Sequence, residues 1–226
     1  LTFFSMDWIR GNAAFCQELS HLTELYSLRF FQNKLTDDHF KHYQPPAGLN
    51  HLCLAGNSIQ GECFSILKDS LGLEQLNVLQ CPLLDESFRH LKNCHALKNV
   101  GLDDTPITDN ALQHLAELPN LEDLQCQHTN ITSAAAVHIN RIHKLTSLTC
   151  TNTKIDQRFF VDLDKQLPLE TIYTNVKMDR TVIDELTKIQ TLRHLVVISP
   201  CDEQLEAKIV AALPNAHIDF YPEEFE

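Results

Sequence analysis

Residues 97–120 read LKNVGLDDTPITDNALQHLAELPN, and residues 121–144 read LEDLQCQHTNITSAAAVHINRIHK. The two 24-residue stretches share one pattern: apolar or cysteine side chains at positions one, four and six, Thr at position nine and Ile at position eleven. A repeat at a fixed period of this length is typical of solenoid proteins, in which each repeat forms one coil of a stack. The repeat therefore decides the fold class before any local feature is considered.

The pattern recurs along the whole chain. Its first apolar residue falls at ten positions: Leu1, Leu25, Leu49, Leu73, Leu97, Leu121, Leu145, Leu169, Leu192 and Leu213. The interval is 24 residues up to Leu169, then 23 and finally 21. Ten coincidences in register predict ten equivalent coils that cover residues 1–226 as a single domain, which we expect to be a fragment of a longer protein.

Each repeat predicts a strand followed by a helix. Positions four to six alternate between apolar and polar side chains, which is the periodicity of a half-buried strand. Behind them, Thr108 precedes Ala111, Leu112 and Leu115 at helical spacing, with the threonine as a plausible N-cap. Because the strands stack in parallel and the helices need more room than the strands, the stack is expected to curve with its sheet inside.

These residues resemble the leucine-rich-repeat family, whose motif is L-x-x-L-x-L-x-x-(N/C/T)-x-(L/I). The ninth position is filled by Asn33, Asn57, Cys81, Thr105, Thr129 and Thr153. The resemblance implies an α/β fold: a right-handed, horseshoe-shaped solenoid with a concave parallel sheet, short helices on the convex face and an inward ladder of ninth-position side chains that bond neighbouring loops. The run from Thr105 to Leu115 is similar to bacterial repeats of the family, and Cys81-Pro82-Leu83-Leu84-Asp85 is similar to the cysteine-containing repeats of ubiquitin-ligase subunits.

The charge balance limits the partners. The chain has 30 acidic and 18 basic residues, a formal net charge of -12, which argues against a nucleic-acid backbone or an anionic membrane surface as the main partner. No apolar run approaches the roughly 18 residues that a membrane span needs. We expect a protein partner, with basic patches favoured, and a monomeric chain.

The cysteines and histidines fit structural positions of the repeat. Cys126 and Cys150 occupy the third core position of adjacent strands and Cys81 the ladder, so they are expected to be buried thiols. This favours a reducing compartment, and therefore the cytoplasm. His39 and His42 have i, i+3 spacing, but no further ligands follow at convincing spacing, so a solvated helix surface is favoured over a metal site. We expect no metal and no cofactor.

An enzymatic function is not expected. The chain contains no phosphate-binding loop, no zinc-protease motif, no nucleophile elbow and no kinase signature. Function is therefore expected on the concave face. The side chains that flank the strand leucines point to this face, and those at equivalent positions of successive repeats form columns in the sequence. A group of aromatic and arginine side chains lies near the first strands: Phe3, Trp8, Arg29 and Phe31. Such residues dominate binding hot spots, but they could equally have packed under an N-terminal cap.

A second group is acidic. Asp103, Asp104 and Asp123 fall on adjacent coils, with Gln125, Gln127 and His128 beside them. They could receive a Lys or Arg from a partner, or they could form the solvated face of an acidic protein. Tyr173 continues the same columns and completes the predicted partner-binding set.

Three functions remain open. The chain is most simply a scaffold that binds a partner protein on its concave face. Alternatively, it is a regulatory or substrate-recognition module of a multidomain kinase, ubiquitin-ligase or effector protein. A carbohydrate or other small ligand is a third option, which the aromatic side chains would serve.

Overall fold

The computed structural model describes residues 2–7 and 13–221. In these two ranges, ten strands form one parallel sheet in which every strand pairs with its neighbours in sequence. The strands are β1 (Phe3–Asp7), β2 (Ser27–Phe31), β3 (His51–Cys53), β4 (Gln75–Asn77), β5 (Asn99–Gly101), β6 (Asp123–Gln125), β7 (Ser147–Thr149), β8 (Thr171–Thr174), β9 (His194–Val197) and β10 (His217–Phe220). The predicted leucine-rich-repeat solenoid is confirmed.

The connections that return from one strand to the next carry short helices. Among the described residues, six are α-helical: α1 (Ala13–Glu18), α2 (Asp109–Leu115), α3 (Ala136–Ile139), α4 (Gln157–Asp162), α5 (Arg180–Leu186) and α6 (Glu203–Ala212). Five are 3₁₀ segments: Leu19–His21, Asp37–Phe40, Glu62–Asp69, Asp85–Leu91 and Ser133–Ala135. As predicted, Thr108 caps α2 by accepting a hydrogen bond from the backbone of Asn110. None of the helices in the described ranges is long and apolar enough to cross a membrane.

The register of the sheet confirms the 24-residue period. Leu52 pairs with Leu76, and Val100 pairs with Leu124, in each case one repeat apart. These side chains point into a continuous hydrophobic core between the sheet and the helices. Because each coil buries its leucines against the next, the stability of the stack depends on contacts between neighbours.

The last predicted coil is out of register by two residues. The sequence pattern placed Ala216 opposite Leu195, but the structure pairs Ile218 with Leu195 and Phe220 with Val197. The interval between β9 and β10 is therefore 23 residues rather than 21. Ile218 and Phe220 pack against the core, so the end of the sheet follows these side chains and not the leucine that begins the motif.

The ninth-position ladder has two forms. The side chain of Asn57 joins two coils: its Oδ1 accepts hydrogen bonds from the backbone nitrogens of Asn33 and Leu35 at 3.0 Å, and its Nδ2 donates to the carbonyl of Phe30 at 3.0 Å. Thr105 Oγ1 instead donates to the carbonyl of Leu102, three residues earlier in the same coil, at 2.6 Å. The predicted bonds between coils are thus confirmed for the amides and for Cys81, whose Sγ donates to the carbonyl of Leu54 in the preceding coil at 3.2 Å. The prediction is wrong for the threonines, whose hydroxyls donate to carbonyls within their own coil.

The cysteines are thiols. All eight are free, and six of them are buried. Cys126 and Cys150 lie in the core at adjacent coils without forming a disulfide, and each thiol donates to a backbone carbonyl of the next strand. The prediction of buried structural cysteines at these positions is confirmed.

Candidate binding surface on the sheet

The outward side chains of the strands form one continuous face, which we call the sheet surface. On β6, for example, Leu124 is buried while Asp123 and Gln125 on either side are partly exposed. The parallel register places side chains of equivalent repeat positions next to each other, about 4.8 Å apart between strands. The sequence columns therefore correspond to rows of neighbouring side chains on this surface.

Asp103 lies at the centre of the predicted acidic group and is mostly shielded from solvent. Its Oδ1 accepts a hydrogen bond from the backbone nitrogen of Gln127 at 2.8 Å. Partial burial raises the pKa of the Asp103 carboxyl above its usual value, and the nearby charges of Asp104 and Asp123 raise it further, against the lowering effects of the Gln127 amide and His128. Asp103 is therefore partly desolvated, whereas Asp104 beside it is exposed.

Asp123 is held by two amides. Its Oδ2 accepts a hydrogen bond from Gln125 Nε2 at 3.1 Å and lies 3.5 Å from Asn99 Nδ2. Its Oδ1 is buried and has no hydrogen-bond partner among the residues that the structure describes. A buried acceptor without a donor is uncommon in folded proteins. Because this oxygen is shielded from solvent, a group at the surface could reach it only after a rotation of the Asp123 carboxylate.

Asp104 and His128 lie beyond the strands, at the rim of the sheet. Both residues adopt a left-handed conformation, with φ of 57° and 53°. The same repeat position is left-handed at Gln32, Gly56, Gln80 and Asn152. The exposed side chains of Asp104 and His128 therefore extend from a left-handed turn that recurs at the carboxyl ends of β2 to β7. We call Asp103, Asp104, Asp123, Gln125, Gln127 and His128 together the acidic surface.

Hydrogen bonds tie the acidic surface to the next coils. Thr151 Oγ1 donates to Gln127 Oε1 at 2.9 Å, and His128 Nε2 lies 3.0 Å from Asn152 Nδ2. Asn175 Nδ2 in turn donates to Asn152 Oδ1 at 2.8 Å. These hydrogen bonds restrain the side chains of Gln127, His128 and Asn152 in the chain itself.

The predicted aromatic group is not a single cluster. Arg29 lies with its guanidinium carbon 5.4 Å from the ring centroid of Phe31, and its Nε is 3.5 Å from Asp7 Oδ1. Phe3 is 57% exposed but pairs with Ser27 at the opposite end of β2, about 13 Å along the strand from Phe31 at 3.3 Å per residue. Phe3 instead lines a groove of about 430 Å³ together with Tyr26. Trp8 lies outside the described residues.

Tyr173 leads to a group that the sequence did not predict. Its ring packs edge-on against His194, with 5.9 Å between ring centroids. His194 in turn lies beside His217 and Asp219 on the outward face of the last two strands. The predicted 21-residue interval hid this group, because it placed Asn215 rather than His217 opposite His194. A 23-residue interval, already present between β8 and β9, was the signal that could have found it.

His39 and His42 do not come together as ligands. His39 Nδ1 lies 3.1 Å from the backbone nitrogen of Thr36 and 2.9 Å from its hydroxyl, as part of a capping box at the start of the segment Asp37–Phe40. The side chain of His39 thus has a structural role at the end of a helix. The predicted solvated helix surface describes His42, which is exposed, but not His39, which is partly buried in this cap.

Comparison with known proteins supports the fold. No protein-family sequence model matches the chain, and no curated protein sequence is similar to it. Among solved structures, the chain is similar to internalin C2 from Listeria monocytogenes, with a TM-score of 0.62 and 20% identity over 88% of this chain and 82% of that one. It is also similar to a chain in the octameric complex of Latrophilin 3, Unc5D and the leucine-rich-repeat protein FLRT2, with a TM-score of 0.52 and 16% identity over 98% and 83% of the two chains. The chain has the leucine-rich-repeat fold.

Proposed function

We propose that the chain binds a partner protein on the sheet surface, and that the acidic surface receives a Lys or Arg side chain of that partner. The observation that carries this proposal is the environment of Asp103. Its carboxylate is partly desolvated and faces two other carboxylates, so that its ionised form is disfavoured in the folded chain. The fold gains one hydrogen bond from this side chain, from Gln127, which a neutral Asn could also accept.

Electrostatic complementarity explains why such a residue would be kept. A cation from a partner would offset the mutual repulsion of Asp103, Asp104 and Asp123. Functional sites are where proteins retain interactions that cost stability. The acidic surface meets this description better than Phe3, Arg29 and Phe31 do, since Arg29 already has Asp7 and Phe31 as neighbours.

A likeness in fold and the shape of the sheet favour a protein as the partner. The FLRT2 structure is a complex of several proteins, and a solenoid sheet presents a long, shallow surface that suits an extended partner. The net charge of -12 would attract a basic partner and accelerate its association at low ionic strength.

The proposal can be tested with peptides selected from a displayed random library on the purified chain. The selected peptides are expected to contain Lys or Arg, and the double variant Asp103→Lys/Asp104→Lys is expected to bind them at least about tenfold more weakly, which corresponds to roughly 1.4 kcal/mol. Because Asp104 is exposed and Asp103 only partly buried, the variant should still fold, and its thermal melt checks this.

A matched control separates the site from overall charge. Glu117→Lys/Asp162→Lys changes the net charge by the same amount at exposed positions near the ends of α2 and α4, on the helical side of the coils. This control should retain binding. Selected peptides without basic residues, or equal losses in the two double variants, would remove the acidic surface as the binding site.

A further inference from the structure

The last two strands bring together three side chains with the chemistry of a metal site. His194 on β9 pairs in register with His217 on β10, so their side chains project from the same face of the sheet. Asp219 lies two residues after His217 and therefore projects from that face as well. The arrangement depends on the 23-residue interval between these strands.

The ligand atoms of the three side chains converge. His194 Nε2 is 2.7 Å from Asp219 Oδ2, and His217 Nε2 is 3.2 Å from Asp219 Oδ1. All three ligand atoms lie within 4.8 Å of one another. In a tetrahedral zinc site with bonds of 2.0–2.2 Å, ligand atoms are about 3.3–3.5 Å apart. Small side-chain rotations would therefore open a space of the right size for an ion.

We propose that His194, His217 and Asp219 bind a divalent transition-metal ion such as Zn²⁺. Two imidazoles and one carboxylate form a ligand set that suits zinc, copper, nickel and iron. On binding, each histidine would place its proton on Nδ1 and give its Nε2 lone pair to the ion, and any proton held between the imidazoles and Asp219 would leave to solvent. The carboxylate would supply a negative charge against the ion.

The site is open on the side of the solvent. The side chain of His217 is 75% exposed, and those of His194 and Asp219 are about one-third exposed. Three protein ligands leave a tetrahedral ion with one open position, which water or a side chain of a bound molecule could fill. The site is separate from the acidic surface, since β9 lies three strands from β6, or about 14 Å. It does not depend on the proposed partner binding.

The test is a zinc titration of the untagged chain in competition with a chromophoric chelator. The wild type should bind one equivalent of Zn²⁺ at this site, with a higher affinity than at any other site on the chain. Loss of a residue that only supports a metal ligand usually weakens metal binding about tenfold or more. His217→Gln and Asp219→Asn each remove a ligand itself, so each should weaken zinc binding at least about tenfold. Thermal melts should show that Zn²⁺ stabilises the wild type and not Asp219→Asn.

The control is His51→Gln, which removes a half-buried histidine from the same row of the sheet surface, on β3. Its zinc affinity should equal that of the wild type. Since the chain has 12 histidines, weak adventitious binding is expected at high zinc concentration. The same affinity in the wild type, the two ligand variants and the control, or no stoichiometric binding, would overturn the proposal.

Discussion

The carboxylate of Asp37 accepts a hydrogen bond from the backbone nitrogen of Cys63, one coil further along the chain, at 2.8 Å. The same carboxylate also accepts from the backbone nitrogens of Gln60 at 2.8 Å and Gly61 at 3.0 Å. Asp85 and Asp109 occupy the same place in later coils, where each accepts from the backbone and hydroxyl of a threonine in the next coil. A second set of bonds between coils thus runs along the helical side of the stack.

We therefore predict that Asp37→Ala lowers the free energy of unfolding by about 2–3 kcal/mol, because it leaves partly buried backbone donors without a charged acceptor. The neighbouring Asp38 is exposed, and Asp38→Ala should change the stability by no more than about 0.5 kcal/mol. Urea denaturation of the two variants measures the difference. Equal losses in both would mean that Asp37 does not hold the coils together.

A second prediction concerns the left-handed turn that follows β2 to β7. Gly56 has a φ of 68°, and a Cβ atom there would lie 2.6 Å from Gln32 Cγ. Gly56→Ala should cost about 1–2 kcal/mol, the usual cost of a left-handed residue with a side chain. Gly48→Ala is the control, since a Cβ at Gly48 meets nothing within 4 Å. If the melting temperatures of the two variants fell equally, the left-handed turn at Gly56 would not explain the loss of stability.

Thiol reactivity tests the burial of the cysteines. Burial raises the pKa of Cys150 to about 12 and those of Cys16 and Cys94 to about 11, so these thiols are protonated and inaccessible at neutral pH. Cys53 on the sheet surface and Cys201 are partly exposed. We expect a disulfide reagent to label no more than two thiols of the folded chain at pH 8, and all eight in denaturant. Cys53→Ser and Cys201→Ser should each remove one labelled thiol. Rapid labelling of more than two thiols in the folded chain would contradict the buried positions.

Most of the fold could be predicted because the chain repeats. Leucines at 24-residue intervals have equivalent surroundings in successive coils, so the register of β1–β8 follows from counting. The final coil could not be counted in this way, because Leu213 suggests an interval of 21 while Ile218 and Phe220 determine the pairing. That error concealed the pair of His194 and His217.

The remaining differences come from backbone geometry and side-chain length, which the repeat pattern does not report. Gly56, Asp104 and Asn152 share one repeat position and belong to the residue types that best tolerate a positive φ, so the left-handed turn had a signal in the sequence. The bonds from Asp37 to the next coil had no distinct signal in the sequence. An aspartate in the first turn of a helix is also expected from the helix dipole alone.

The pH dependence of Asp103→Asn follows from the raised pKa of Asp103. Because the folded chain disfavours the ionised carboxyl, Asp103 costs stability above its unfolded pKa of 3.8, and that cost disappears as the pH falls through its folded pKa. Asp103→Asn should therefore raise the melting temperature at pH 7 by about 1–2 °C, or roughly 0.5 kcal/mol for a chain of this size. The gain in melting temperature should shrink as the pH falls through the folded pKa of Asp103. It should vanish below the unfolded pKa of 3.8, where the carboxyl is neutral in both states.

The most direct test of the acidic surface measures stability and binding on this single variant. At pH 7, Asp103→Asn should melt at a higher temperature than the wild type and bind a selected basic peptide about tenfold more weakly, the loss of one charge pair of roughly 1.4 kcal/mol. A lower melting temperature together with unchanged affinity would show that Asp103 serves the fold and not a partner.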